Sequence, residues 1–175
     1  MNTLHRIAGW SGLFFLSSLY ILPLSYAQQP TLSEALGASA DIIKNHTSAK
    51  SATMETVSVA ESRKYAFISD MRMAGYPVKG TLRELNKQES GLLARLLAHD
   101  KNYINVLRRC KNQSFKGIRF NKKAKKIEVA IGLPCNQVLV AYADKNHVQW
   151  WGGILDEKIA SLVLTLLEAS STTIN

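Results

Sequence analysis

At 175 residues, 46% of them hydrophobic and 20% charged, the chain has enough apolar material for one core of ordinary size and does not have the composition of a disordered polypeptide. Its 22 basic residues outnumber 13 acidic ones, and the net charge of +9 favours anionic partners without specifying a fold. Only two cysteines occur, with no Cys-x-x-Cys and no histidine between them, which argues against a redox pair or a zinc site built on them.

Taken in chain order, His5 and Arg6 precede an apolar run from Ile7 to Leu24, and Ser25-Tyr26-Ala27 supplies the small-x-small pattern a signal peptidase accepts. Residues 1–27 therefore read as an export signal. A retained anchor is the alternative, but Pro23 and the serines at 17 and 18 weaken a stable membrane helix. No cysteine precedes position 110, so lipid attachment near the signal is not open to the chain. The mature protein is expected to begin near Gln28 in the periplasm or outside the cell, with no stable membrane span. Arg6 is the one Lys or Arg of the signal, which holds no acidic residue, so the mature charge is +8.

Residues 28–54 read as a polar N-terminal segment. It holds a loose helix near Leu32 to Asn45, anchored by Leu32, Leu36, Ile42 and Ile43, and then a polar linker from Thr47 to Thr53. A single domain is expected over 55–170. From Thr56 the alternation of Val57 and Val59 with polar or small residues, followed by Tyr65, Phe67 and Ile68, predicts a strand or hairpin. Gly75 to Gly80 reads as a short extended piece, with Pro77 placing it at a sheet edge. Asn86 to His99 predicts a helix: Asn86 caps it, Glu89 completes a capping box, and Leu92, Leu93, Leu96 and Leu97 form a stripe. Asp100 to Leu107 continues as a turn or short helix leading to Cys110.

Phe115–Phe120, Lys126–Leu133, Val138–Ala143 and His147–Trp151 read as four consecutive strands, and their short connections predict an antiparallel meander. In the second of these, Ile127, Val129, Ile131 and Leu133 make one buried face and the alternate residues a wetter one. Asp156 caps a last helix whose stripe is Ile159, Leu162, Val163, Leu166 and Leu167, and residues 171–175 fray. The fold class is thus α+β, a mostly antiparallel sheet packed by two main helices. Cys110 and Cys135 are expected to form its one disulfide, closing a 25-residue loop worth about 3–4 kcal/mol by chain entropy.

No catalytic constellation emerges. His46, His99 and His147 are isolated and form no zinc motif, so no metal or cofactor is expected; His99 suits the end of its helix, where a cation is favoured. No Gly-x-Ser-x-Gly elbow occurs, a disulfide removes both thiols as nucleophiles, and the spacing of the carboxylates does not show that any two converge. Two features suggest binding instead. Lys116 and Arg119, followed by Lys122, Lys123, Lys125 and Lys126 at a hairpin turn, make either a docking surface for phosphate or carboxylate groups or a solvated turn that guards a sheet edge. Trp150 and Trp151, adjacent in a strand, must face opposite ways, so one of them either lies under a helix or meets a partner. No nucleic-acid recognition motif is present. Asn45-His46-Thr47 and Asn112-Gln113-Ser114 match the glycosylation sequon, which matters only in a eukaryotic secretory pathway.

Gly75-Tyr76-Pro77-Val78, Leu82-Arg83-Glu84-Leu85, Cys110, Gly117-Ile118-Arg119-Phe120 and Cys135-Asn136-Gln137 together resemble small exported bacterial proteins of unassigned function. The resemblance implies an exported domain with paired cysteines and no particular activity. The expected function is a non-enzymatic binding or inhibitor protein of the cell envelope, acting on an acidic protein partner, with a toxin-immunity protein as one form of it. The alternatives are a basic module that holds anionic envelope polymer or lipid and, third, an envelope hydrolase.

Overall fold

The computed structural model describes residues 29–104, 110–144 and 147–169. The expected export signal, residues 1–27, and the expected frayed tail, 171–175, lie outside the described residues. The elements are α1 (Leu32–Leu36), α2 (Ala40–Lys44), β1 (Ser48–Met54), α3 (Val59–Lys64), β2 (Arg72–Met73), β3 (Tyr76–Leu85), α4 (Lys87–Leu97), β4 (Tyr103–Ile104), β5 (Ser114–Lys122), β6 (Lys125–Leu133), β7 (Gln137–Asp144), β8 (His147–Leu155) and α5 (Glu157–Ala169). The strands form one antiparallel sheet in the order β2-β3-β1-β5-β6-β7-β8-β4, with β5 to β8 as the expected meander. The fold is α+β, mostly sheet, and Cys110 is joined to Cys135 with their Cα atoms 5.7 Å apart.

Four local expectations are corrected. The supposed polar linker is β1, which lies in the sheet between β3 and β5. Its small residues hid it: Ala49, Ser51 and Ala52 are buried without supplying the large apolar alternation by which a strand is recognised. The supposed hairpin near 56–68 contains α3 instead, because the Ser58 hydroxyl accepts a hydrogen bond from the Glu61 N–H and caps a helical turn. Pro77 falls in the next-to-edge strand, opposite Arg72 of the two-residue β2. The first helix is also broken, by a tight turn over Gly37–Ser39, into α1 and α2.

Two apolar layers flank the sheet. On one face, Ile118, Phe120, Ile127, Val129, Ile131, Val138 and Val140 pack against Leu32, Leu36, Ile42 and Ile43 of α1 and α2, Leu93 and Leu97 of α4, and Val163 and Leu167 of α5. Asn86 and Glu89 form the capping box that starts α4, each backbone N–H donating to the other's side chain at 2.9 Å. The opposite face is not wet. Residues 57–78 fold back over it, so Phe115, Ala130 and Ala141 pack against Ala66, Met73, Ala74 and Tyr76. The expected wetter face of β6 is therefore buried as well, with Glu128 fully enclosed. Leu162 departs from the α5 stripe and is exposed, whereas Val163 and Leu167 carry the contact.

Candidate protein-binding face

The covered face is organised by two charges in a place where charge is costly. Arg119 on β5 and Glu128 on β6 are direct cross-strand partners, 3% and 0% exposed. Arg119 Nε donates to Glu128 Oε1 at 2.7 Å, and the Ala74 N–H donates to Glu128 Oε2 at 2.7 Å. The other two nitrogens of the same guanidinium reach the covering segment: Nη1 donates to Asp70 Oδ1 at 3.0 Å and Nη2 to the Arg72 carbonyl at 2.5 Å. One arginine thus ties the loop over residues 69–74 to the sheet at several points, a use for which its planar fork is suited and a lysine is not. Burial pushes the Glu128 carboxyl above the usual carboxylate range, against the opposing pull of Arg119, the Ala74 N–H and Lys126.

The loop itself holds an unusual backbone. Phe67 and Ala74 have φ of 61° and 48°, a region non-glycine residues rarely occupy, and Gly75 has φ of 76°. A Cβ on Gly75 would lie 1.7 Å from the Ser62 carbonyl oxygen, so the close approach of α3 requires glycine there. Further contacts hold the loop. The Met71 and Arg72 N–H groups donate to Ser69 Oγ and O, each at 3.1 Å, and Arg72 Nη1 donates to the Gly75 carbonyl at 2.7 Å. The Arg72 guanidinium lies over the Tyr65 ring at 4.4 Å, and Lys126 Nζ over the Phe67 ring at 5.3 Å.

This framework holds apolar side chains outward beside the exposed Asp70. Ile68 is 67% exposed and Met71 61%, with Tyr65 and Val59 exposed on the same α3–loop segment. Beside it, a hollow of about 280 Å³ is lined by Lys50, Asp70, Leu82, Arg119, Asn121 and Lys126. Its bases face carboxylates of the chain itself, Lys50 that of Glu84 and Arg119 and Lys126 those of Asp70 and Glu128. Anchored apolar side chains beside a polar hollow are the ingredients of a protein-docking surface, because the ordering cost of the loop is met before any partner arrives.

The residues singled out from sequence are dispersed by strand alternation. Arg119 is buried in the clamp, and Lys126 lies above it, 3.9 Å from both Asp70 and Glu128. Lys116 Nζ donates to Thr53 Oγ1 at 3.1 Å. Lys122 pairs with Asp41 of α2, holding that carboxyl below its usual range. Lys123 and Lys125 are exposed at the β5–β6 turn. The six basic residues therefore do not share one surface. The tryptophans do face opposite ways. Trp151 is buried under α1, donating from Nε1 to the Pro30 carbonyl at 2.8 Å with its ring edge-on to Tyr103. Trp150 is half-buried on the other face, with the Arg63 guanidinium 5.8 Å from its ring centre.

Ile68, Met71, Asp70 and Glu128 had no distinguishing signal in the sequence, where Phe67-Ile68 passed for strand interior. Among the described residues no group of three or more His, Cys, Asp or Glu side chains is placed to hold a metal ion, and no helix is long and apolar enough to cross a membrane. No protein-family model, curated protein or solved structure matches this chain, so the geometry of the face carries the functional argument.

Proposed function

We propose that this chain is a non-enzymatic binding or inhibitor protein of the cell envelope that seizes an acidic protein partner with the loop over residues 65–71. The observation that carries the reading is the exposure of Ile68 and Met71 on a loop fastened to the sheet by the buried Arg119–Glu128 pair. A few apolar anchors at the centre of an interface supply most of its binding energy, and the net charge of +9 favours an acidic partner. The export signal read in residues 1–27 puts that encounter in the periplasm or outside the cell, in line with the resemblance to small exported bacterial proteins. A toxin-immunity protein, which neutralises a secreted toxin by covering its working surface, is the narrower form of this proposal.

The test is affinity purification of the tagged protein from an envelope extract of its own organism, washed at low and high salt, beside an Ile68→Asp/Met71→Asp variant. The expected result is one stoichiometric protein that survives high salt with the unaltered chain and is missing with the variant. Recovery of the same protein by the variant, or of no protein at all, overturns the reading. Recovery at low salt of anionic polymer or lipid alone favours the basic-module alternative, since surface charge is screened by salt.

A further inference from the structure

A second surface, on the opposite side of the sheet, has the makings of a small-molecule site. A cleft of about 580 Å³ opens between α2, α4 and the tight turn over Asp100–Asn102. That volume lies within the range of ordinary ligand pockets. Five basic side chains line it: Lys44 at the end of α2 and His46 just after it, Arg95 on α4, and His99 and Lys101 at the turn. Its one acidic residue, Asp100, is already engaged, because its carboxylate accepts from the Ser33 N–H at 2.9 Å and from the Ser33 hydroxyl. Among the described residues, Lys44, Arg95 and Lys101 make no ion pair, although other bases of the chain do. His99 Nδ1 accepts from the Lys101 N–H at 3.3 Å.

The floor of the cleft supplies an independent observation. Gly91 stands in the interior of α4, where glycine weakens a helix relative to alanine, and a Cβ placed on it would meet no atom within 4 Å. Neither backbone conformation nor packing requires glycine there. Its effect is to keep open the cleft wall that it shares with Ala94 and Ala98. A helix that gives up stability to leave room in a basic cleft is consistent with a binding role for that cleft.

From this placement we infer that the cleft binds a phosphorylated small molecule or headgroup. Against Lys44, Arg95 and Lys101 the cleft sets only the Asp100 carboxylate, and the excess of positive charge suits a phosphate, which concentrates nearly two charges and three acceptor oxygens on one centre. The small-residue floor takes a compact organic portion beside it.

The test uses the full chain, isothermal titration calorimetry and inorganic pyrophosphate as probe, with sodium sulfate and sodium chloride at matched ionic strength as controls. Saturable one-to-one binding of pyrophosphate is expected. It should weaken about tenfold or more in Arg95→Ala, as loss of a charge-assisted contact implies. Gly91→Leu should abolish it, while Gly91→Ala leaves the fold at least as stable by thermal melting. Circular dichroism of Gly91→Leu separates a filled cleft from a lost fold. Absence of binding, an equal response to the control salts, or affinity unchanged in Arg95→Ala and Gly91→Leu overturns the inference. Flotation with phosphatidylglycerol and phosphatidylcholine vesicles then distinguishes the sources: co-flotation with the anionic vesicles that Gly91→Leu loses assigns a lipid headgroup, and pyrophosphate binding without flotation assigns a soluble phosphate. Because the site lies away from the 65–71 loop, Gly91→Leu should still capture the protein partner, so failure of either proposal leaves the other to be judged separately.

Discussion

At the scale of single residues, Arg119 and Glu128 show how position turns a surface residue type into a core device. Removing one partner of a buried ion pair strands the other without water, and such losses commonly cost about 3–5 kcal/mol. Arg119→Ala is therefore expected to destabilise the protein by about that amount in urea denaturation. The double change Arg119→Leu/Glu128→Leu should recover much of the stability, yet it also severs the bonds to Asp70 and the Arg72 carbonyl. Amide exchange over residues 69–75 should then remain fast and the partner uncaptured, which separates positioning of the loop from stability of the sheet. Tyr103 makes a second residue-scale case. Its hydroxyl donates to the Leu97 carbonyl at 2.7 Å, and burial raises its ionisation well above the normal tyrosine range. The folded state then keeps a proton that the unfolded state releases near pH ~10, so stability contributed by this group is present below that pH and lost above it. Tyr103→Phe should flatten the fall in stability between pH 9 and 11, after a loss of about 1 kcal/mol at neutral pH for the missing hydrogen bond.

At the scale of elements, the segment from α3 to β3 works as a lid whose closure depends on backbone conformation rather than on apolar area alone. Gly75 lets the chain pass under the Ser62 carbonyl at a positive φ, and Ala74, next to it, delivers its N–H to Glu128. Gly75→Ala is expected to lower stability by at least about 1–3 kcal/mol, the usual range for a residue forced into a rare conformation, and the clash with Ser62 adds to it. Partner capture should be lost in the same variant, measured beside Ala124→Gly at the exposed β5–β6 turn as a neutral control. The same element explains a sequence misreading. Alternating valines at 57 and 59 suggest a strand, but the capping hydroxyl of Ser58 decides for a helix, and only the sheet beneath determines that Phe67 turns inward while Ile68 stays out.

For the whole molecule, the disulfide and the meander serve one purpose. Cys135 lies in the β6–β7 turn and Cys110 just before β5, so their bond holds the chain entering β5 against the far end of the β5–β6 hairpin. Reduction, or Cys110→Ala/Cys135→Ala, should cost about 3–4 kcal/mol by the closure of a 25-residue loop. Urea titration with and without reductant measures it, and the double alanine variant should be indifferent to reductant. The sheet divides the molecule into two functional sides, an apolar loop over one face and a basic cleft among the helices on the other. No sequence separation reveals that division, since Lys44 and Lys101 reach one cleft from segments far apart in the chain.

Local periodicity was enough to read the four meander strands, the capped helices α4 and α5, the pairing of the cysteines and the opposed tryptophans, because each depends on neighbours a few residues away or on a pair with no competitor. Tertiary structure decided the rest. Small residues 48–54 became a strand because β3 and β5 flank them, Arg119 and Glu128 became a buried pair because residues 57–78 fold over them, and the six expected docking bases separated because alternate residues of a strand face opposite sides. Strong periodicity along the chain determines the meander and the capped helices; a strand of small residues such as β1, and what covers each face and so which side chains remain to meet a partner, are set by contacts between elements distant in sequence.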